Sequence, residues 1–146
     1  AEYLDENGKK FGKRMSKPTN LKEYKILKDS NEAILTTDPS TIFSKEAFLD
    51  SGKYRKEYFP AADIDLWYRM VEKDYIILSI PEFHFQYRIH SGADSSKNFL
   101  TQRLKTHFAN YNMRLRRSGK CEISYEYFFD DLLFLNTSHH GPFDQY

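Results

Sequence analysis

Apolar positions in this chain recur at two spacings, and the change from one to the other marks its elements. Leu66, Trp67, Met70 and Val71 share one side of a helical repeat, so the stretch from Asp63 to Val71 reads as an amphipathic helix. Asp63 then falls at its N-cap and Asp65 in its first turn, where free N–H groups and the positive dipole end favour carboxylates. A second helical stripe, Leu100, Leu104, Phe108, Tyr111 and Leu115, predicts a long helix from Asn98 to about Arg117 with Gly119 as its stop. Ser44 caps a short helix over Lys45 to Asp50, closed by Gly52. Ser124 caps a last one from Tyr125 to Leu135, ending near Asn136, and Tyr24, Ile26 and Leu27 mark a short helix near the start.

Elsewhere the spacing changes to two. Tyr75 to Ile80 is almost wholly apolar and reads as a buried strand. After Pro81, Phe83, Phe85, Tyr87 and Ile89 alternate with His84, Gln86, Arg88 and His90, the signature of a strand with one polar face. Thr41-Ile42-Phe43 is a short β-prone stretch. The first thirty residues are polar and Lys-rich, with turn signals at Asp5 to Lys10 and at Lys17 to Asn20, and Ser91 to Lys97 reads as a loop.

Composition narrows this picture only in part. The 146 residues suit one compact domain, and a net charge of +1 gives no reason to expect nucleic acid as a partner. Cys121 is the only cysteine, so no internal disulfide forms, in keeping with a reducing compartment. Aromatic residues make up 16% of the chain, either as core in place of scarce aliphatics or as flat surfaces for sugar rings. The longest apolar run, Tyr75 to Ile80, is far short of the roughly 20 residues that span a bilayer. Ala1 opens the chain without a signal-peptide pattern, and further sequence upstream is expected.

The chemistry-bearing residues gather in Pro60-Ala61-Ala62-Asp63-Ile64-Asp65-Leu66-Trp67-Tyr68-Arg69, followed at a distance by Tyr87-Arg88-Ile89-His90 and a Ser-rich loop. Upstream stand Pro39-Ser40-Thr41-Ile42-Phe43-Ser44-Lys45-Glu46-Ala47-Phe48, then Ser51-Gly52-Lys53-Tyr54, and, near the start, Leu4-Asp5-Glu6-Asn7-Gly8-Lys9. This ordered set, from about Tyr3 to Asn98, resembles the acceptor-side, C-terminal half of family 2 nucleotide-sugar glycosyltransferases. In those enzymes a Glu-Asp pair opens a helix ending in Leu-Trp-x-Arg, ahead of a buried strand and Tyr-Arg-x-His. Here Ala62 replaces the Glu of that pair, so whatever positioning role the Glu has is lost while the Asp remains.

The resemblance implies an α/β chain carrying the C-terminal half of a GT-A fold. Its sheet is expected to be incomplete, with residues 1–98 in the transferase domain and 99–146 as a helical extension. It implies inverting transfer of a sugar from a nucleotide-sugar donor to a glycan or lipid-linked acceptor, in cell-surface polysaccharide synthesis. Asp63 matches the family's general base, and Arg88 and His90 match the region near the diphosphate, His90 also as a metal ligand. A divalent metal, Mn²⁺ or Mg²⁺, is expected with its main ligands outside this chain, on a missing N-terminal half or partner chain that also holds the nucleotide pocket. The setting implied is cytoplasmic, at the inner face of the membrane. The alternative is a non-catalytic remnant that binds sugar or a partner.

Each assignment has a plainer counterpart. Asp63 also fits a simple N-cap, and Arg88 a strand end pinned by a carboxylate with His90 exposed beside it. Asp65 reads as a structural first-turn carboxylate and Trp67 as core. Asp63-Ile64-Asp65 mimics the family's metal signature but opens a helix rather than ending an apolar strand, and is rejected as a metal site. The basic residues Arg103, Lys105, Arg114, Arg116 and Arg117 form either a solvated helix face or a surface for anionic membrane. His139-His140 reads as tail.

Overall fold

The computed structural model describes residues 1–30, 34, 40–90, 92 and 98–137. It is a mixed α/β structure: among these residues a small three-stranded sheet lies beside five α-helices. In order they are β1 (Glu2–Leu4), β2 (Lys10–Lys13), α1 (Leu21–Asp29), α2 (Lys45–Asp50), a 3-10 turn (Lys56–Tyr58), α3 (Ala62–Glu72), β3 (Gln86–Arg88), α4 (Phe99–Arg117) and α5 (Tyr125–Thr137). The expected loop at Ser91 to Lys97 lies largely, and the His139-His140 tail wholly, outside the described residues.

The polar opening forms a hairpin. Asp5 accepts the backbone N–H groups of Asn7 and Lys9 through one carboxylate oxygen, at 3.0 and 2.8 Å, which closes the turn between β1 and β2. Tyr3 sits opposite Gly12 in the antiparallel β1–β2 pair and opposite Tyr87 in the parallel β1–β3 pair, giving the order β2-β1-β3. The two strands of the hairpin are not legible in the sequence, because Glu2 to Leu4 is too short for a repeat and Lys10 to Lys13 is exposed throughout.

Each helix start has a local cause. Asn20 and Ser44 cap α1 and α2 by accepting from Glu23 and Ala47 N–H groups, and Ser124 accepts from Tyr127. Gly52 and Gly119, at φ +81° and +71°, take the left-handed conformation that follows α2 and α4. Helix α3 departs from the expectation. Its cap is Ala61, with no side-chain bond, so Asp63 lies inside the first turn rather than at the N-cap. Ala61 and Ala62 are buried shortly after the 3-10 turn, and packing of these small residues moves the cap two residues earlier.

Helix α3 is the hub of the core. Ala62 and Tyr68 pack with Tyr58, Phe108, Ala109, Met113 and Phe128; Leu66, Trp67 and Met70 pack with Ala47; Val71 packs with Tyr24 and Ile34. A helix enclosed on several sides is stabilised by burial more than by propensity. The stripe on α4 is shifted from the expected one. Phe108, Ala109, Asn112 and Met113 are buried, whereas Leu100 and Tyr111 are exposed. Asn112 is drawn inside because its side chain donates to Tyr58 Oη at 2.8 Å and to Ile123 O at 3.1 Å, while accepting from Ile123 N at 3.0 Å.

Two expected strands are absent. Tyr75 to Ile80 is neither a strand nor buried: Ile76, Leu78 and Ile80 are exposed and alternate with half-buried neighbours. It pairs with none of the three described strands, although β2 and β3 each have a neighbour on one side only, so apolar content alone does not make a strand. Thr41 to Phe43 is likewise irregular, with Ile42 fully exposed. The alternating segment after Pro81 is a strand only from Gln86 to Arg88, the span that reaches β1.

Candidate functional site

The α3 start carries two carboxylates two residues apart, in different surroundings. Asp65 is fully buried. Arg55 grips it with two donors, Nε at 2.9 Å and Nη2 at 2.5 Å. Arg69, one turn further along α3, adds Nε at 3.0 Å and Nη2 at 2.8 Å, and also donates to the backbone carbonyls of Ser51 and Lys53. Such forked pairs are the strong form of charge-assisted hydrogen bond. Asp65 is therefore a structural anchor, as its sequence position suggests, and its oxygens are committed to arginine rather than open to a metal. Asp63 is only half-buried, on the same turn.

The anchor continues into a wider network. Arg55 also donates to Glu122, at 2.7 and 3.1 Å, and Arg116 donates to Glu122 at 2.5 Å and to Glu72 at 2.6 and 2.9 Å. Three arginines thus meet three carboxylates, and the cluster ties α3, the segment before the 3-10 turn, α4 and the link to α5 together. Burial alone pushes the Glu122 carboxyl up, but hydrogen bonds from Arg55 and Arg116 outweigh it and hold the pKa below the ordinary glutamate value. Tyr58 lies under the Arg55 guanidinium and Tyr68 inside the core, and burial pushes both phenols up to about 12. No local motif marks Arg55, Arg116 or Glu122 in the sequence; they are brought together only by the packing of α4 on α3.

The network takes part of the basic face of α4 inward, while Arg103 and Arg114 remain exposed. Arg116 is turned into the cluster, and Arg117 lies 4.0 Å from Glu72. Lys105 donates to Glu57 O at 2.6 Å and lies over the Tyr125 ring, and Arg103 packs over Phe99. No helix among the described residues is long and apolar enough to cross a membrane.

Arg88 and His90 lie apart from the network. Arg88, exposed on β3, reaches across the sheet and donates from Nη1 to Glu6 O at 3.0 Å, so it secures the hairpin turn. His90 follows the end of β3 and is exposed. The strands pack chiefly on one another, and α3 packs on α2, the 3-10 turn and α4, so Asp63 and the Arg88–His90 pair belong to different layers. Among the described residues no group of three or more His, Cys, Asp or Glu side chains is placed to hold a metal ion.

A groove of about 560 Å³ runs between the two layers. Its walls include Phe43, Trp67 and Met70 on one side and Ile76 to Ile80 on the other, with Met15 and Phe85 at its ends. Neither Asp63, Arg88 nor His90 lines it. Trp67 meets Phe43 edge-to-face at 5.5 Å, yet its buried indole N–H has no acceptor among the described residues. A buried donor left this way costs about 1–3 kcal/mol. No family model matches the chain, and no match is found among curated proteins or solved structures.

Proposed function

We propose that this chain is the acceptor-side half of an inverting, nucleotide-sugar-dependent glycosyltransferase of the GT-A type, with Asp63 as its general base. The observation that supports the reading is the contrast at the start of α3. Asp65 is held by Arg55 and Arg69, which fixes the first turn, while Asp63 is carried on that fixed turn and only half-buried. A carboxylate on a rigid helix start, beside the positive dipole end, stays ionised and keeps its position.

In the proposed reaction Asp63 takes the proton of an acceptor hydroxyl as that oxygen bonds to the anomeric carbon. The bond from that carbon to the donor diphosphate breaks on the opposite face, and the nucleoside diphosphate leaves with the electron pair. Arg88 and His90 are assigned to the diphosphate side, the Arg88 guanidinium meeting the negative charge that develops there. The ligands of the divalent metal, with the nucleotide pocket, are assigned by the resemblance to residues outside this chain. The acceptor class, a glycan or a lipid-linked glycan at the inner membrane face, follows the resemblance.

The test is Asp63→Asn in the intact transferase. Turnover is expected to fall by about 10²-fold or more. Donor affinity should stay near that of the parent. Near-normal turnover removes Asp63 from the mechanism and leaves a sugar- or partner-binding fold.

A further inference from the structure

The start of α3 lacks the local devices that fix other helix starts in this chain. Asn20, Ser44 and Ser124 accept backbone N–H groups at α1, α2 and α5, whereas Ala61 has no side-chain oxygen to offer. The first backbone bond of the turn, from Asp65 N–H to Ala61 O, spans 3.5 Å. That is well beyond the ordinary length of about 2.9 Å and leaves the bond weak. What holds the turn comes from far along the chain. Arg55 donates to both oxygens of Asp65, and the same guanidinium donates to both oxygens of Glu122, on the link between α4 and α5. Glu122 is fixed in turn by Arg116 from α4, at 2.5 Å, and by Tyr58 Oη at 3.3 Å. Below, the Arg55 guanidinium meets the Tyr58 ring, 4.4 Å from its centroid.

We infer that Arg55 and Glu122 form a clamp that positions Asp63, and that the link after α4 is thereby a working part of the site. Glu122 acts on Asp63 through Arg55 and Asp65. Asp63 and Asp65 share one helical turn, so any tilt or fraying of that turn carries Asp63 with it. Direction matters as much as charge, because one planar guanidinium meets two carboxylates through separate aimed donors, which a lysine ammonium does not reproduce. Both residues are positioning residues. The consequence for catalysis rests on the proposed role of Asp63; the hold of the clamp on that residue does not.

The test uses the chain with ¹³C-labelled aspartate carboxyls, in which Asp63→Asn identifies the Asp63 resonance. Glu122→Gln removes charge and keeps size, and Arg55→Lys keeps charge and removes the fork. In both variants the Asp63 resonance is expected to shift or broaden. The amides of Asp65 and Leu66, the first that α3 bonds internally, should exchange about tenfold faster. The resonance of Asp50, which pairs with Lys73 outside the clamp, and the amide of Val71 should stay as in the parent. Tyr24→Phe removes a hydrogen bond near the far end of α3 and is the control for lost stability as such. It should leave the Asp63 resonance in place. An unchanged Asp63 resonance in Glu122→Gln would overturn the inference, and so would an equal response to Tyr24→Phe. Parent-like spectra for Arg55→Lys would show that charge alone suffices and would overturn it as well; Glu122→Gln decides alone where Arg55→Lys does not fold. Full turnover of Asp63→Asn in the intact transferase would remove the catalytic reading and leave the clamp standing.

Discussion

Helix α3 and the segment from Tyr75 to Ile80 are separated by only a short turn, and both are rich in apolar residues, yet their surroundings are opposite. Seven of the eleven α3 residues are buried, and its one buried carboxylate has four donors from Arg55 and Arg69. Five of the six residues from Tyr75 to Ile80 are apolar and none is buried. A helix completes its own backbone hydrogen bonds and needs only side-chain partners, which α2, α4 and α1 supply. An extended segment needs a neighbour for its backbone as well. Apolar residues therefore end in a core in one place and half-exposed in the other, although the exposed stretch is the more apolar.

The largest expected effect breaks the helical side of this comparison. Asp65→Asn leaves Arg55 and Arg69 with an uncharged partner in a buried site and should destabilise the fold by about 3–5 kcal/mol. Thermal unfolding followed by circular dichroism measures it. A loss below about 1 kcal/mol would mean that water reaches the cluster in solution and that α3 is not anchored by it.

Glu122 offers a smaller, pH-dependent cut into the same network. Its folded pKa lies below the ordinary value of 4.5, so the unfolded chain binds its proton more readily. The stabilisation is complete above about pH 4.5 and is lost as pH falls through the lower, folded value. Glu122→Gln should cost about 1–3 kcal/mol at neutral pH, less than the change at Asp65 because solvent screens part of the interaction. The gap in melting temperature between the parent and the variant should close as the pH is lowered from 7 towards 3. A gap that stays constant would show that the carboxylate charge contributes nothing.

What the sequence discloses follows the same division. The helices over Lys45–Asp50, Ala62–Glu72, Phe99–Arg117 and Tyr125–Thr137 are legible because caps, glycine stops and a 3.6-residue repeat are local. The assignment of Asp65 to structure and Trp67 to core also needs only position and spacing. Burial along α4 is another matter, because Asn112 is chosen by Tyr58 and Ile123, which no repeat on α4 can reveal. Arg55, Arg116 and Glu122 converge from three separate segments and leave no sequence signature. The strands are the least legible: an apolar run states that a residue prefers burial, not whether a partner is present. Of the candidate site, Arg88 lies on its strand as expected, whereas Asp63 sits two residues further into its helix than the N-cap and His90 two residues beyond the end of β3. The separation of Asp63 from the other two by the layer structure was not.

The smallest effect tests the open side of the comparison. Ile80 is 68% exposed, so replacing it by Ser removes little apolar surface that folding had withdrawn from water. Ile80→Ser should therefore change stability by no more than about 0.5 kcal/mol, as at other exposed positions. Leu66, fully buried on α3, is the matched control, and Leu66→Ala should cost about 2–5 kcal/mol through lost contacts and the cavity left behind. Both changes remove a four-carbon aliphatic side chain, so the ratio of the losses reports chiefly on whether a partner covers it. A cost above about 2 kcal/mol for Ile80→Ser would mean that the residue is covered in solution. A cost near zero would show that the fold itself leaves this position in water, although Tyr75 and Ile77 on the same segment pack against the core.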